Sequence, residues 1–154
     1  MIRTVIKPDI SQLVTLSEMK RLEYQTYAPT FWRNAADASS KQSPFFLSLL
    51  DHPGTICLAY ERDKAIQGFI IASIVSAPPV YNPGTLVCSI DDFVVASNSL
   101  WDTVGRDLLR SAKATAKEHG AMLSVVVCGH LDQPKRAMLQ SEGMYIASEW
   151  YVSP

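Results

Sequence analysis

The chain has 154 residues, of which 47% are hydrophobic and 19% are charged, so it is long enough and apolar enough to form one folded domain with a sizeable core. Its formal net charge of -1 includes no block of like charges, which gives no reason to expect a nucleic acid or a membrane surface as a partner. The three cysteines lack metal-ligand spacing, so we expect free thiols. Charges interrupt the N-terminal segment where a signal peptide needs an apolar run, and no apolar stretch is long enough to cross a bilayer. We therefore expect a cytoplasmic protein.

Hydrophobic periodicity divides the first half of the chain into a strand, two helices and a hairpin. Alternating β-branched residues predict the strands, and apolar residues at every third or fourth position predict the first helix. The elements are a strand at 2–6, a helix from 8–9 to about 27, a helix from about 36 or 44 to 50, and strands at 55–61 and 66–75 around a tight turn. The two helices are separated by an aromatic, proline-broken segment at 27–34.

The second half is predicted to alternate strands and helices. Apolar residues four positions apart predict a long helix that ends at Gly120, and a nearly continuous apolar run is typical of a central strand buried on both faces. The elements are a strand at 86–95, a helix at 100–120, a strand at 122–128, a helix at 135–142 and a last strand at 145–152. The whole order, β-α-α-β-β-β-α-β-α-β, predicts an α/β (α+β) fold with a mixed sheet and helices on both faces.

The junction between the strand at 86–95 and the following helix carries the most chemical information. It begins at Ser89 with Ser-Ile-Asp-Asp-Phe-Val-Val and reaches Gly105 through a polar turn. A helix N-terminus presents main-chain N–H groups to an anion. Asp91 and Asp92 are adjacent, so alternation along a strand places them on opposite faces of the sheet. The junction therefore predicts an acyl-CoA site with an acid or a base beside it.

Over nearly the whole chain, this order of elements resembles the GNAT family, the Gcn5-related N-acetyltransferases. The hexapeptide Ile-Asp-Asp-Phe-Val-Val is similar to the Leu-Glu-Asp-Phe-Phe-Val strand of polyamine acetyltransferases. The family's pyrophosphate turn, Gln/Arg-x-x-Gly-x-Gly/Ala, falls on residues 100–105, where only Gly105 matches. Leu100 and Thr103 replace the other motif residues, and Asp102 puts a negative charge where an anion is bound. The tyrosine that protonates the leaving thiolate in the family is replaced by Leu139.

The resemblance implies a single acyltransferase domain over residues 1–154, with a mostly antiparallel sheet, that binds acetyl-CoA as co-substrate and uses no metal. The acetyl group would pass to a primary amine of an unknown acceptor by direct attack in a ternary complex, since no cysteine lies in a reactive setting. The residues that the resemblance assigns to acetyl-CoA are Phe93, Val94, Val95, Trp101, Thr103, Val104, Gly105 and Arg106. Lys135 and Arg136 could bind the CoA phosphates or lie on a solvated helix face.

Asp91 and His130 are the candidate catalytic residues. Asp91 aligns with the glutamate that serves as base in the polyamine enzymes, acting through water. The alternative is that both adjacent carboxylates only accept main-chain hydrogen bonds. His130 follows the predicted strand at 122–128, and it could be a base, an acid, a CoA contact or a solvated loop residue.

Five aromatic residues are candidates for the acceptor pocket. Tyr24, Tyr27, Phe31 and Trp32 lie in the first helix and the segment after it, which close over the acceptor in the family. Tyr81, in the proline-rich loop before the Asp91 strand, could form the opposite wall. The alternative is that these residues are ordinary core aromatics.

Two other functions stay open at this point. One is a non-catalytic acyl-CoA-binding or regulatory module on the same fold, which the altered phosphate turn and the missing tyrosine favour. The other is a PAS-like small-ligand sensor, against which the long helix at 100–120, followed by an apolar strand and another helix, argues. The resemblance also leaves open a homodimer formed through the last strand.

Overall fold

One mixed sheet of five strands organises the chain, and the computed structural model describes all 154 residues. Strands β1 to β4 run antiparallel to their neighbours, and β5 runs parallel to β4. The elements are β1 (Ile2–Thr4), α1 (Ile10–Tyr27), α2 (Ala38–Leu50), β2 (Thr55–Arg62), β3 (Ala65–Ser76), β4 (Leu86–Val95), α3 (Arg106–Glu118), β5 (Ala121–Val126) and α4 (Gln133–Ser141). The predicted α/β class, with a mostly antiparallel sheet flanked by helices, is confirmed.

Helices cover both faces of the sheet through two hydrophobic layers. On one face, the stripe of α3 that was predicted from residues four apart is buried through Leu108, Ala112 and Ala116, and α4 packs beside it. On the other face, α1 and α2 bury Leu13 and Phe46 against the sheet. None of the helices combines the length and the apolar character that a bilayer crossing requires.

A β-bulge at Asp91 changes which side chains share a face on β4. Asp92 pairs with Ile71 of β3 while Ile90 pairs with Ala72, so Asp91 is an extra residue without a partner. Ile90 and Phe93 therefore both face the α3 layer, and the side chain of Asp92 lies on the α1 side with Val94. Asp91 is left exposed to solvent. The simple alternation predicted for the two aspartates is interrupted by this bulge.

Strand β5 pairs with only the first half of β4. The ladder ends where Ile90 pairs with Val126 and accepts a hydrogen bond from the Val127 N–H (3.1 Å). Beyond this point β4 continues to Val95 without a partner on that side. We call the gap between residues 93–95 and residues 127–129 the split. The Ala96 N–H donates to the carbonyl oxygen of Gln67 on β3 (2.8 Å). Because the main-chain groups of successive strand residues point in opposite directions, the N–H and C=O groups of Val95 point into the split.

The predicted last strand, at 145–152, is not formed. No main-chain hydrogen bond joins residues 145–154 to another main-chain group, and their large side chains are exposed, Trp150 by 77% and Tyr151 by 89%. The strand is missing because the chain does not return to the free edge of β5 after α4. We call residues 145–154 the tail.

The prediction of a central strand at 122–128 is also wrong, because β5 is the edge strand of the sheet. Its apolar side chains are uncovered: Met122 is 74% exposed, and Leu123 and Val125 are more than one-third exposed. A continuous apolar run indicates that a strand can be buried, but it does not say what packs against it. In this chain, β4 is the one strand that pairs with β5, and no strand pairs with its outer edge.

Candidate functional site

The split is bordered by five parts of the chain that the fold brings together. These are the end of β4, the turn at 97–105, the segment after β5, the N-terminal end of α4 and the C-terminal half of α1. A 3₁₀ turn at Asn98–Leu100 and a π-helical turn at Trp101–Gly105 lead from β4 into α3. The first main-chain N–H groups of this helical segment therefore lie next to the unpaired end of β4, as an anion site requires.

Lys135 occupies the split with its side chain. Its Nζ donates to the carbonyl oxygen of Phe93 on β4 (3.2 Å) and to that of Val127 after β5 (3.0 Å), so it bridges the two diverging strands. The rings of Phe93 and Trp101 lie 5.2 and 5.4 Å from the same nitrogen. Burial lowers the pKa of Lys135, and the nearby charge of Lys20 acts in the same direction. Such a buried amino group is neither on a solvated helix face nor free to reach a CoA phosphate.

Asp132 anchors a buried charged network beside the split. It is fully buried, and its carboxylate accepts hydrogen bonds from the Tyr24 hydroxyl (2.6 Å) and from the main-chain N–H of Lys135 (3.4 Å), the latter capping α4. Lys20 Nζ lies 3.0 Å from Asp132 Oδ2 and 3.1 Å from Glu23 Oε2. Burial and the charge of Asp132 raise the pKa of Tyr24. The network ties α1 to the start of α4.

Sequence reasoning missed Lys20 and Asp132 as site residues. Asp132 had a local signal, because an aspartate two residues before Pro134 is typical of a helix cap. Lys20 had none, because a lysine on an amphipathic helix usually faces solvent. Its burial depends on Asp132, which is more than one hundred positions away in sequence.

Trp101 fills the space next to Lys135, and its ring leaves no room for a side chain at residue 105. The indole is 1% exposed and packs edge-on against the Phe93 ring, with centroids 5.0 Å apart. A Cβ at Gly105 would lie 2.6 Å from the Trp101 ring. The one glycine that matches the family motif is therefore required here by tryptophan packing. The buried Trp101 Nε1–H has no hydrogen-bond partner, so an unused donor remains at the split.

The other turn residues lie in different environments. Val104 is buried in the α3 layer, and Thr103 is exposed with its hydroxyl on the Leu100 carbonyl. Asp102 is 73% exposed and forms an ion pair with Arg106 (3.1 Å). Arg106 also lies 3.0 Å from Glu142 Oε1, so its guanidinium contacts two carboxylates.

Asp92 is more buried than Asp91, and its environment shifts its pKa. Burial raises the pKa of Asp92, the charge of Asp91 raises it further, and the positive charges of Lys135 and Arg21 oppose the shift. Asp91 is exposed and has only a long contact with the Ser89 hydroxyl (3.5 Å). The bulge thus places Asp92, and not the predicted candidate Asp91, in the more buried position.

His130 lies in the loop before α4, and Arg136 lies in the first turn of α4. The His130 side chain is exposed, and the Arg136 guanidinium donates to the His130 carbonyl oxygen (2.7 Å). Neither side chain enters the network around Asp132.

Four of the five candidate acceptor aromatics form one cluster. Ring centroids lie 5.5 Å apart for Tyr24 and Tyr27, 4.7 Å for Tyr24 and Trp32, and 5.2 Å for Phe31 and Trp32. Gly129, at the edge of the split, packs against the cluster, since a Cβ there would approach both Tyr24 and Trp32 within 3.2 Å. Tyr81 is 73% exposed and takes no part in these ring contacts.

The thiols and the possible metal ligands complete the inventory of reactive groups. Cys57 and Cys88 are buried, Cys128 is half-buried, and all three are free. Burial raises the pKa of Cys57 to about 11 and also raises those of the other two thiols, which leaves them protonated at neutral pH. No three His, Cys, Asp or Glu side chains come together in a way that could hold a metal ion.

Solved structures of other proteins share this architecture. The BH1408 protein of Bacillus halodurans matches with a TM-score of 0.88 at 14% identity, covering 100% of this chain and 98% of its own. A predicted acetyltransferase of Clostridium acetobutylicum, solved with acetyl-CoA, matches at 0.78 and 17% identity over 100% and 95%. The aminoglycoside N-acetyltransferase AAC(6')-Iy, in complex with CoA, matches at 0.72 and 13% identity over 100% and 98%. The chain therefore has the GNAT fold. No protein-family model and no curated protein matches the sequence.

Proposed function

We propose that the chain works as one domain that transfers an acyl group, most simply acetyl, from acyl-CoA to a primary amine. The observation that carries the proposal is the split, in which β4 presents unpaired main-chain groups directly before a helical N-terminus. A pantetheine arm carries amide groups that can pair with such an edge, and the phosphates would lie at the helical turn. The shared GNAT fold supports this placement.

Within the split, Val95 is our candidate for polarising the thioester. Its N–H points away from β3, and a main-chain N–H in a water-poor site is an effective partner for a developing oxyanion. Phe93, Trp101 and Gly105 would shape the walls of the acyl-CoA site. Thr103 and Arg106 would lie at its outer end, where Arg106 reduces the repulsion between Asp102 and a phosphate.

Asp92 is our candidate for the general base. An amine nucleophile must lose a proton, and an unshifted aspartate with a pKa of about 3.9 is a weak base for an ammonium. Burial raises the pKa of Asp92 towards the working range. The side chain lies on the α1 side of the sheet, the side of the aromatic cluster Tyr24, Tyr27, Phe31 and Trp32. Such rings can hold a cationic amine, so we propose this cluster as the acceptor wall.

A second candidate function rests on the same split. Lys135 holds two carbonyl groups, of Phe93 and Val127, that an incoming ligand would need, and Trp101 fills the adjacent space. These side chains favour a non-catalytic regulatory module in which the split has lost turnover. The two functions differ in a measurable way, because only the enzyme releases free CoA.

Binding and turnover of acetyl-CoA test the proposal. At 100 times its Kd, a ligand stabilises the folded state by about 2.7 kcal/mol, which raises the melting temperature of a domain of this size by several degrees. We expect this shift with acetyl-CoA, together with free-thiol release in the presence of a panel of primary amines. Stabilisation without thiol release with any amine supports the regulatory module. No stabilisation at saturating acetyl-CoA contradicts both functions.

We also propose that the chain forms a homodimer in which the tail of one copy covers β5 of the other. The outer edge of β5 has no partner, and its exposed apolar side chains match the exposed apolar side chains of the tail. An open apolar edge and an unpaired apolar segment on one chain can pair with each other between two copies.

The free thiols suit a reducing compartment such as the cytoplasm.

Removing the tail by ending the chain at Met144 should convert the dimer to a monomer. The mass measured by light scattering after size-exclusion chromatography should fall by half. Phe45→Ala is the matched control, because it removes an exposed aromatic side chain of α2, outside both the tail and β5. A full-length chain that is monomeric at all concentrations would refute the dimer.

A further inference from the structure

Lys135 is a buried titratable group that the proposed transfer does not use. Its nitrogen bonds to carbonyl groups on both sides of the split, one of them at Phe93, two residues before the proposed oxyanion donor Val95. A thioester bound at Val95 would thus have its carbonyl carbon beside the Lys135 amine. Proximity of this kind contributes strongly to the rate of a group transfer.

The hydrogen bonds of Lys135 suit a neutral amine better than an ammonium. An amine has two N–H groups, and Nζ has two acceptors, the carbonyl oxygens of Phe93 and Val127. The lone pair of the amine is then left free. The third N–H of an ammonium would have only the aromatic rings of Phe93 and Trp101 nearby, which are weaker partners than an oxygen.

The charges around Lys135 come from every element packed against it. Lys20 of α1 disfavours the ammonium, whereas Asp92 of β4, Cys128 after β5 and Asp132 before α4 favour it when they are ionised. Burial outweighs these charges, so the pKa is lowered. A lysine that is desolvated and close to a second cation is the usual form of a nucleophilic lysine.

We propose that Lys135 is itself acylated on Nζ by the acyl-CoA bound in the split, so that the chain modifies itself. This inference rests on the proposed function, because it needs acyl-CoA in the split. The Nζ lone pair attacks the thioester carbonyl carbon, the new C–N bond forms and the C–S bond breaks. The CoA thiolate leaves and takes up the proton that the amine loses, so the products are an amide and free CoA.

Acylation would remove the bridge between the strands. The amide has one N–H where the amine has two, so it cannot donate to both Phe93 and Val127. The strands would then lose their link beyond Ile90, where the β4–β5 ladder ends. Self-acylation would in this way change the access of further ligands to the split.

The test is to incubate the purified full-length chain with isotopically labelled acetyl-CoA and to follow acetylation of each lysine by peptide mass spectrometry. We expect Lys135 to be labelled to one group per chain, and faster than Lys64 and Lys117, which are exposed and report on non-specific acetylation. The rate of acetylation at Lys135 should also reach its maximum at a lower pH than the rates at these two lysines.

Lys135→Arg is the matched variant, because a guanidinium can still donate to both carbonyls but is not a nucleophile. It should lose the rapid label at position 135, while the slow labels at Lys64 and Lys117 stay unchanged. If acetyl-CoA stabilises the wild-type chain while Lys135 is labelled no faster than Lys64 and Lys117, this inference is wrong and the proposed function stands. If acetyl-CoA neither stabilises nor labels the chain, both fall. The comparison among lysines of the wild-type chain does not depend on the folding of any variant.

Discussion

Asp132→Ala is expected to lower the free energy of unfolding by about 3–5 kcal/mol, because it leaves the buried ammonium of Lys20 without its main counter-ion. It also removes the acceptor of the Tyr24 hydroxyl and the cap of α4. The measurement is the urea midpoint at unchanged slope, which separates lost stability from a change in the unfolded state. A loss of this size would be a large part of the stability of a domain.

Two further variants make the Asp132 result specific. Asp132→Asn removes the charge and keeps one oxygen acceptor, which can serve either the Tyr24 hydroxyl or the helix cap but not both, so its loss should lie between those of the wild type and Asp132→Ala. Asp102→Ala removes an exposed carboxylate paired with Arg106 and should cost no more than about 1 kcal/mol. Equal losses for Asp132→Ala and Asp102→Ala would show that the buried network does not stabilise the fold.

Asp92→Asn is expected to reduce amine acetylation by about 100- to 10,000-fold, since it removes the proposed general base but keeps the shape of the side chain. The reduction should appear in kcat, measured as free-thiol release under saturating acetyl-CoA. Asp91→Asn is the matched control, because it changes the neighbouring, exposed carboxylate. If the two variants have equal activity, Asp92 is not the base.

The same substitution should raise stability at neutral pH. The pKa of Asp92 is raised in the folded chain, so between the unfolded and the folded pKa the folded state holds a proton that the unfolded state has lost. Stability therefore falls as pH rises through this window, and above the folded pKa the cost of the buried charge is fully present. Asparagine has no such cost. A variant that is more stable and less active than the wild type is the signature of a strained functional residue.

The proposed acyl transfer and the stability of the fold require different arrangements at the split. Its unpaired main-chain groups suit a pantetheine arm, yet Lys135 and Trp101 satisfy or cover part of that surface. If acyl-CoA pairs with the end of β4 as proposed, it must compete with the Lys135 side chain for the carbonyl oxygen of Phe93. That competition would weaken the proposed binding, which is one reason to measure binding and turnover separately.

Local patterns determined the types and the order of the elements from β1 to α4, but not the predicted last strand. Alternation predicted β2, β3 and β4, the four-residue spacing predicted the buried stripe of α3, and Gly120 marked a helix end. These features depend on neighbours in sequence, so they can be recognised without a tertiary structure. The resemblance of this order to the GNAT family was confirmed at the level of the fold.

Tertiary packing alone decided what the site contains. Lys135 looked like a surface residue at a helix start, and only the divergence of β4 from β5 gives its ammonium a buried place between two carbonyl groups. The bulge that exposes Asp91 and half-buries Asp92 depends on the register with β3. The tail carries a strand-like pattern but stays unpaired, because pairing needs a strand edge in reach. The sequence by itself determined which residues can form each element, whereas burial and charge at the split depend on residues far apart in sequence that only the folded chain brings together.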